Sequence, residues 1–113
     1  MSKAQAISGV AHSRRVELTA ELDRLSILLR EMGASEVWLF GSLARGEVHE
    51  GSDLDLLVVM DTALPYVERL ACLYRKLKPR VATDLFVYTS EEMIDLRVSN
   101  PLVRAALQEG KLL

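Results

Sequence analysis

The chain has 113 residues and a mass of 12.6 kDa; half the residues are hydrophobic and 27% are charged, which suits one compact domain and excludes intrinsic disorder. Lys+Arg 14 against Asp+Glu 16 leaves a net charge of -2 and a pI of about 5.7, with no basic surplus for general nucleic-acid binding. The lone cysteine, Cys72, excludes an internal disulfide. The most apolar run, Leu54 to Met60, is far shorter than the roughly 20 residues that cross a bilayer, and it contains Asp55. Met1 to Arg15 carries no signal-peptide pattern. These features predict a soluble cytoplasmic domain over residues 1–113, with 1–13 frayed.

From Arg14 to Met32, Leu18, Leu22, Leu25, Leu29 and Met32 recur in steps of four and three, the stripe of an amphipathic helix that Gly33 stops. The stripe suits packing on the domain's own core, and its a/d-like seam also suits a partner helix. Glu36 to Phe40 reads as a strand ending at Gly41. Gly41 to Ser52 is polar and glycine-rich, a loop with one helical turn around Leu43 to Arg45. Asp53 to Met60 returns to strand, with Leu54, Leu56, Val58 and Met60 on one face and Asp53, Asp55, Leu57 and Val59 on the other. Pro65 opens a second helix whose predicted apolar stripe is Val67, Leu70, Tyr74 and Leu77, closed by Pro79. Thr83 to Tyr88 is a third strand, Thr89 with Glu92 forms a capping box, and Asn100, Pro101 and Gly110 frame a last helix. The sum is an α+β domain in which helices cover a small sheet.

The chemistry concentrates in Gly41 to Val59, GSLARGEVHEGSDLDLLVV. Strand periodicity places Asp53 and Asp55 on one face, about 6 to 7 Å apart. Two carboxylates in so apolar a strand repel each other and lose hydration, a conflict that a divalent cation removes. Hard oxygen donors select magnesium or manganese. Asp84, unexpected in a strand of β-formers, supplies a third carboxylate if its strand lies beside Asp53 to Met60. Three acids suit two-metal nucleotidyl transfer, in which one ion orients a nucleoside triphosphate and the other activates a hydroxyl. The Gly41-Ser42 turn offers backbone amides and a hydroxyl to phosphate, and Arg45 reaches either phosphate or the acids.

Gly-Ser, ten residues, Asp-x-Asp on a strand and a later strand acid together resemble the signature of the minimal nucleotidyltransferases of the DNA polymerase beta superfamily. The order of elements carries the resemblance over nearly the whole chain, including the closing Glu109 to Leu113. It implies a two-layer fold with a mixed sheet. Gly41, Ser42 and Arg45 would bind the nucleotide, Asp53, Asp55 and Asp84 would hold metal, and Asp84 would also activate the hydroxyl. Leu43 departs from the motif, which often has an aromatic there. The implied cofactor is Mg2+, as two ions, with Mn2+ as the substitute, and the implied substrate is ATP. Small stand-alone proteins of this kind are frequently antitoxins that transfer AMP to a HEPN-family toxin. The expected partners are therefore such a toxin and a nucleoside triphosphate, with no membrane; a homo-oligomer stays open. Two alternatives remain, an antitoxin that works by contact alone and a transferase for small molecules of the aminoglycoside class.

Other chemically active residues have plainer expectations. His12 and His49 read as surface histidines, Cys72 as a small packed residue, and Trp38 and Phe40 as sheet packing. Arg75, Lys76, Lys78 and Arg80 read as a solvated helix end. Neither a Walker loop nor GxGxxG is present.

Overall fold

The computed structural model describes the backbone of residues 3–113 and the side chains from residue 9 onward. Helix α1 (Lys3–Glu31) begins well before the Arg14 start that the periodicity implies. The apolar stripe marks only the half that packs: Leu18, Leu25 and Leu29 are fully buried and Leu22 nearly so. The seam closes this domain's own core. The expected fraying of 1–13 falls partly outside the described residues.

Strand β1 (Glu36–Phe40) leads through the single turn α2 (Ser42–Arg45) to β2 (Leu54–Val59). Helix α3 (Tyr66–Leu77) then crosses over to β3 (Thr83–Tyr88), followed by α4 (Ser90–Ser99), α5 (Pro101–Glu109) and the two-residue β4 (Lys111–Leu112). The sheet order is β3-β2-β1-β4. β1 runs antiparallel to both β2 and β4, and β2 runs parallel to β3, so the sheet is mixed as expected. β4 has no counterpart in the sequence reading, because two residues carry no periodicity. It pairs Trp38 with Leu112 and Leu39 with Lys111. Gly110 permits that pairing, since a Cβ there would overlap the carbonyl oxygens of Ala106 and Leu39.

Strand alternation divides the interior into two apolar clusters. Val37, Leu39, Leu54, Leu56, Val58, Leu85 and Val87 pack with α1 and α3 on one face. Leu57 and Val59, flanked by Trp38, Phe40 and Phe86, pack with Met93 of α4 and Val103 and Ala106 of α5 on the other. The two-layer body of sheet plus α1 and α3 thus gains a smaller helical cover on its opposite face.

Helix α3 keeps most of its predicted stripe, with Leu77 buried and Leu70 and Tyr74 packed against the core, and departs from it at Val67. Val67 is 76% exposed, while Arg69, Leu73 and Leu77 are buried. The reason is the arginine. Arg69 donates to the carbonyls of Leu64 (3.0 Å) and Val87 (3.1 Å) and meets the Glu92 carboxylate at 2.7 Å, so its burial is fully compensated. A count of apolar positions cannot detect such a residue. Glu92 also completes the expected capping box with Thr89, which ties α3 to the start of α4. The guanidinium beside Glu92 is the main reason its carboxyl lies below the usual range. Tyr74 acts on the same strand: its hydroxyl donates to the Thr83 carbonyl (2.6 Å) and accepts from the Leu85 amide (3.1 Å).

Glu21 joins α1 to the end of α3. It is buried, pairs with Arg24 at 2.6 Å and accepts from the Arg80 amide. The basic cluster that spans the end of α3 is therefore anchored through its backbone at Arg80. Among the described residues, no helix is long and apolar enough to cross a membrane.

The burial pattern sets an expectation for denaturant unfolding. Leu25→Ala should cost about 2 to 5 kcal/mol, whereas Val67→Ala, on the exposed face of α3, should stay within about 0.5 kcal/mol. Similar losses from both would contradict the assigned face of α3.

Candidate active site

The register of three strands builds the site. Phe40, the last residue of β1, faces Asp55 of β2, and Asp55 faces Asp84 of β3. Asp55 precedes Leu57 and Val59 on the face that α4 and α5 cover, so its carboxyl emerges at the end of the sheet just beyond their packing. Asp53 lies one residue before β2. The chain leaves β1 through Gly41, which takes a φ of 77°. A Cβ at this position would overlap the Asp55 carboxylate. Glycine is thus required by the acid across the strand as well as by the turn.

Gly41, Ser42, Arg45, Asp53 and Asp55 line one side of an open cleft of about 520 Å3, a volume in the ordinary range for small-molecule sites. Leu102, Ala105 and Glu109 of α5 form its other wall, and Phe40 both packs on Phe86 and borders the cleft. His49 is exposed, as expected, yet also lies on the rim. Its Nδ1 accepts from the Gly51 amide at 3.1 Å and helps shape the loop. Arg45 pairs with Glu47 at 3.0 Å.

Asp55 shows the electrostatic conflict that the sequence implies. Burial pushes its carboxyl up to about 6, and the nearby Asp84 and Asp53 carboxylates add to the rise against the opposing pull of Arg45. Asp84 is within hydrogen-bonding reach of Asp55 and is itself exposed at the edge strand. Asp84 does not line the cleft; it stands beside it, on the far side of Asp55.

Two arginines outside the expected site residues complete the surroundings. Arg14 of α1 donates from Nε to the Ser52 carbonyl at 2.8 Å, and its Nη2 lies 3.7 Å from Asp53 Oδ1. Arg15 donates to the Gly46 carbonyl at 3.4 Å. A signal for Arg14 existed: it extends the Leu18–Leu22 spacing by one further step of four, which puts a cation on the packed stripe. Among the described residues, no three His, Cys, Asp or Glu side chains are gathered closely enough to hold a metal ion. Asp55 and Asp84 meet each other, while Asp53 faces Arg14.

Comparison with known proteins gives this arrangement a family. The profile of the nucleotidyltransferase domain matches residues 22–112. The chain belongs to the nucleotidyltransferase domain family. A nucleotidyltransferase relative from Methanocaldococcus jannaschii, a candidate protein adenylyltransferase, is 38% identical over 78 residues, or 69% of this chain and 76% of the relative. Among solved structures, a candidate nucleotidyltransferase of Sulfolobus solfataricus shares the fold with a TM-score of 0.65 and 20% identity, covering 91% of this chain and 85% of that one. A mutant MntA-HpeT toxin–antitoxin structure aligns with a TM-score of 0.53 and 24% identity over 80% of this chain and 69% of that one. A toxin–antitoxin structure with AMP-PNP aligns at 0.50 and 23%, with the same coverage.

The raised Asp55 carboxyl predicts how stability depends on pH. A folded-state value of about 6 against an ordinary 3.8 favours the protonated form in the fold. Its contribution is complete below the ordinary value and is lost as pH rises through about 6. In chelator, the wild type should therefore melt at progressively lower temperature relative to Asp55→Asn across that interval and then level off. A gap that does not change with pH would refute the crowding.

Proposed function

We propose that this nucleotidyltransferase is a magnesium-dependent adenylyltransferase that moves AMP from ATP to a hydroxyl of a HEPN-type toxin, and so acts as its antitoxin. The observation that carries this reading is the row of Asp55 and Asp84 on adjacent strands beside the Gly41-Ser42 turn. The donor chemistry, as distinct from the present spacing of the three acids, suits a hard divalent cation: all donors are carboxylate oxygens, and Asp55 sits where adjacent positive charge relieves a direct conflict. Asp53, just before β2, and Asp55 of β2 would hold the ion together with Asp84 of β3. When bound, magnesium supplies charge neutralisation to the triphosphate and lowers the pKa of the attacking hydroxyl.

The chain's own residues divide the remaining work. The Gly41-Ser42 backbone and the Ser42 hydroxyl hold the phosphates, and Arg45, exposed on the rim, adds positive charge to them. Asp84 takes the proton of the acceptor hydroxyl. The acceptor oxygen bonds to the α-phosphorus, the bond from that phosphorus to the bridging oxygen breaks, and pyrophosphate leaves. Asp84 stands exposed at the sheet edge, outside the nucleotide cleft, where an acceptor carried by another protein can reach it.

Three findings support the protein acceptor and the nucleotide. They are the protein adenylyltransferase name of the M. jannaschii relative, the fold shared with toxin–antitoxin structures, and the AMP-PNP in one of those. The test is incubation with ATP labelled on the α-phosphate, magnesium and the product of the neighbouring gene. Label should pass to that protein, and Asp84→Asn should slow transfer by about 10² to 10⁴. A stable complex without label would replace catalysis with neutralisation by contact.

A further inference from the structure

We propose that Arg14 is a counter-ion built into the site, a positioning residue that holds Asp53 and the Ser52 carbonyl until a divalent cation binds and then yields Asp53 to it. The inference rests on the metal-dependent reading above and adds a residue to it. Arg14 lies in α1 before residue 22, where the family match begins, so the arginine reaches Ser52 and Asp53 from outside the matched span.

The geometry makes Arg14 more than a surface cation. Its side chain is only 17% exposed, because it continues the packed stripe of α1 past the end of the sheet. Nε is committed to the Ser52 carbonyl at 2.8 Å, which leaves Nη2 to face Asp53 Oδ1 at 3.7 Å. Ser52 is itself buried, and its hydroxyl accepts from the His49 amide at 2.9 Å, so the carbonyl that Arg14 grips belongs to a fixed turn. Among the described residues, Asp53 is the one acid of the three within ion-pair distance of a guanidinium, whereas Asp55 faces Asp84 and feels Arg45 only from farther off.

A guanidinium and a divalent cation compete for one carboxylate. Each attracts the same oxygens, and the two cations repel each other at close range. Binding of metal at Asp53 therefore works against Arg14, and loss of Arg14 should make metal binding tighter. A purely structural role gives the opposite sign, since a loosened Ser52 turn would scatter the ligands and weaken binding. That opposition of sign makes the proposal testable without any turnover.

The experiment titrates the full chain with Mn2+ alone and follows the free-ion signal by electron paramagnetic resonance. Arg14→Gln should bind Mn2+ about two- to fivefold more tightly than wild type, the range that an ion pair of partly exposed side chains is worth. Arg14→Lys, which keeps the charge, should stay near wild type. Arg15→Gln removes an equal charge from the same helix without a carboxylate contact and should change little. Wild-type binding that Asp55→Asn abolishes, combined with equal or weaker binding in Arg14→Gln, overturns the counter-ion and leaves the metal reading standing. Wild-type binding that is absent or indifferent to Asp55→Asn overturns both. If Arg14→Gln fails to fold, the wild type decides: its Arg14 Nε–Hε resonance, identified by its loss in Arg14→Lys, should move on titration with Mg2+. A stationary signal at saturation overturns the proposal.

Discussion

Phe40, Asp55 and Asp84 stand side by side because β2 is paired on both of its edges, and nearly everything at the cleft follows from that row. A central strand cannot shift to relieve a crowded carboxylate without breaking two ladders of hydrogen bonds. Crowding at Asp55 can therefore be relieved only by a proton or by positive charge. The fold tolerates it because Leu54, Leu56, Leu57, Val58 and Val59 of the same strand are all buried. At about 1.5 to 3 kcal/mol for each such side chain, their burial far outweighs the cost of one half-buried acid. β2 contributes stability along its length and places its electrostatic strain at one end.

Helix α5 links these two roles. Val103 and Ala106 fill the smaller cluster, while Leu102, Ala105 and Glu109 lie beside them on the helix and form a wall of the cleft. The Asn100 side chain accepts from the amides of Leu102 and Val103 and fixes where that helix starts. A change that displaced the helix would alter core and cleft together.

Much of this was legible in the amino-acid order. Period two over Leu54 to Val59 separated the two faces of β2, and Asp-x-Asp against that pattern exposed the acids. Asp84 was visible as an acid among β-formers. Local capping chemistry at Thr89, Glu92, Asn100 and Pro101 located the last two helices. What escaped has a common cause: side chains whose partners are distant in sequence and whose polarity disguises their burial. Arg69 occupies the packed face of α3 because carbonyls and Glu92 await it, and the apolar count, right for Leu70, Tyr74 and Leu77, placed Val67 on that face as well. Spacing places Arg14 and Tyr74 on the packed faces of α1 and α3, but it does not report the backbone groups of other elements that they bind. β4 is too short to show a period, and Gly110, read as a helix stop, is also what lets that strand dock. Gly41 was legible as a turn glycine, but its steric debt to Asp55 needed the cross-strand register.

The side chains that α3 sends to β3 decide how other chains can approach the sheet. An edge strand normally offers a free row of amides and carbonyls on which a foreign strand can grow. Here Tyr74 occupies the Thr83 carbonyl and the Leu85 amide, and Arg69 occupies the Val87 carbonyl. The opposite edge, β4, is only two residues long. The sheet is therefore closed to extension at the side where Asp84 stands and offers almost no template at the other. A protein that reaches Asp84 must arrive with a projecting side chain or loop tip, not as an added strand, and the same blunting protects this small sheet from stacking edge to edge into aggregates.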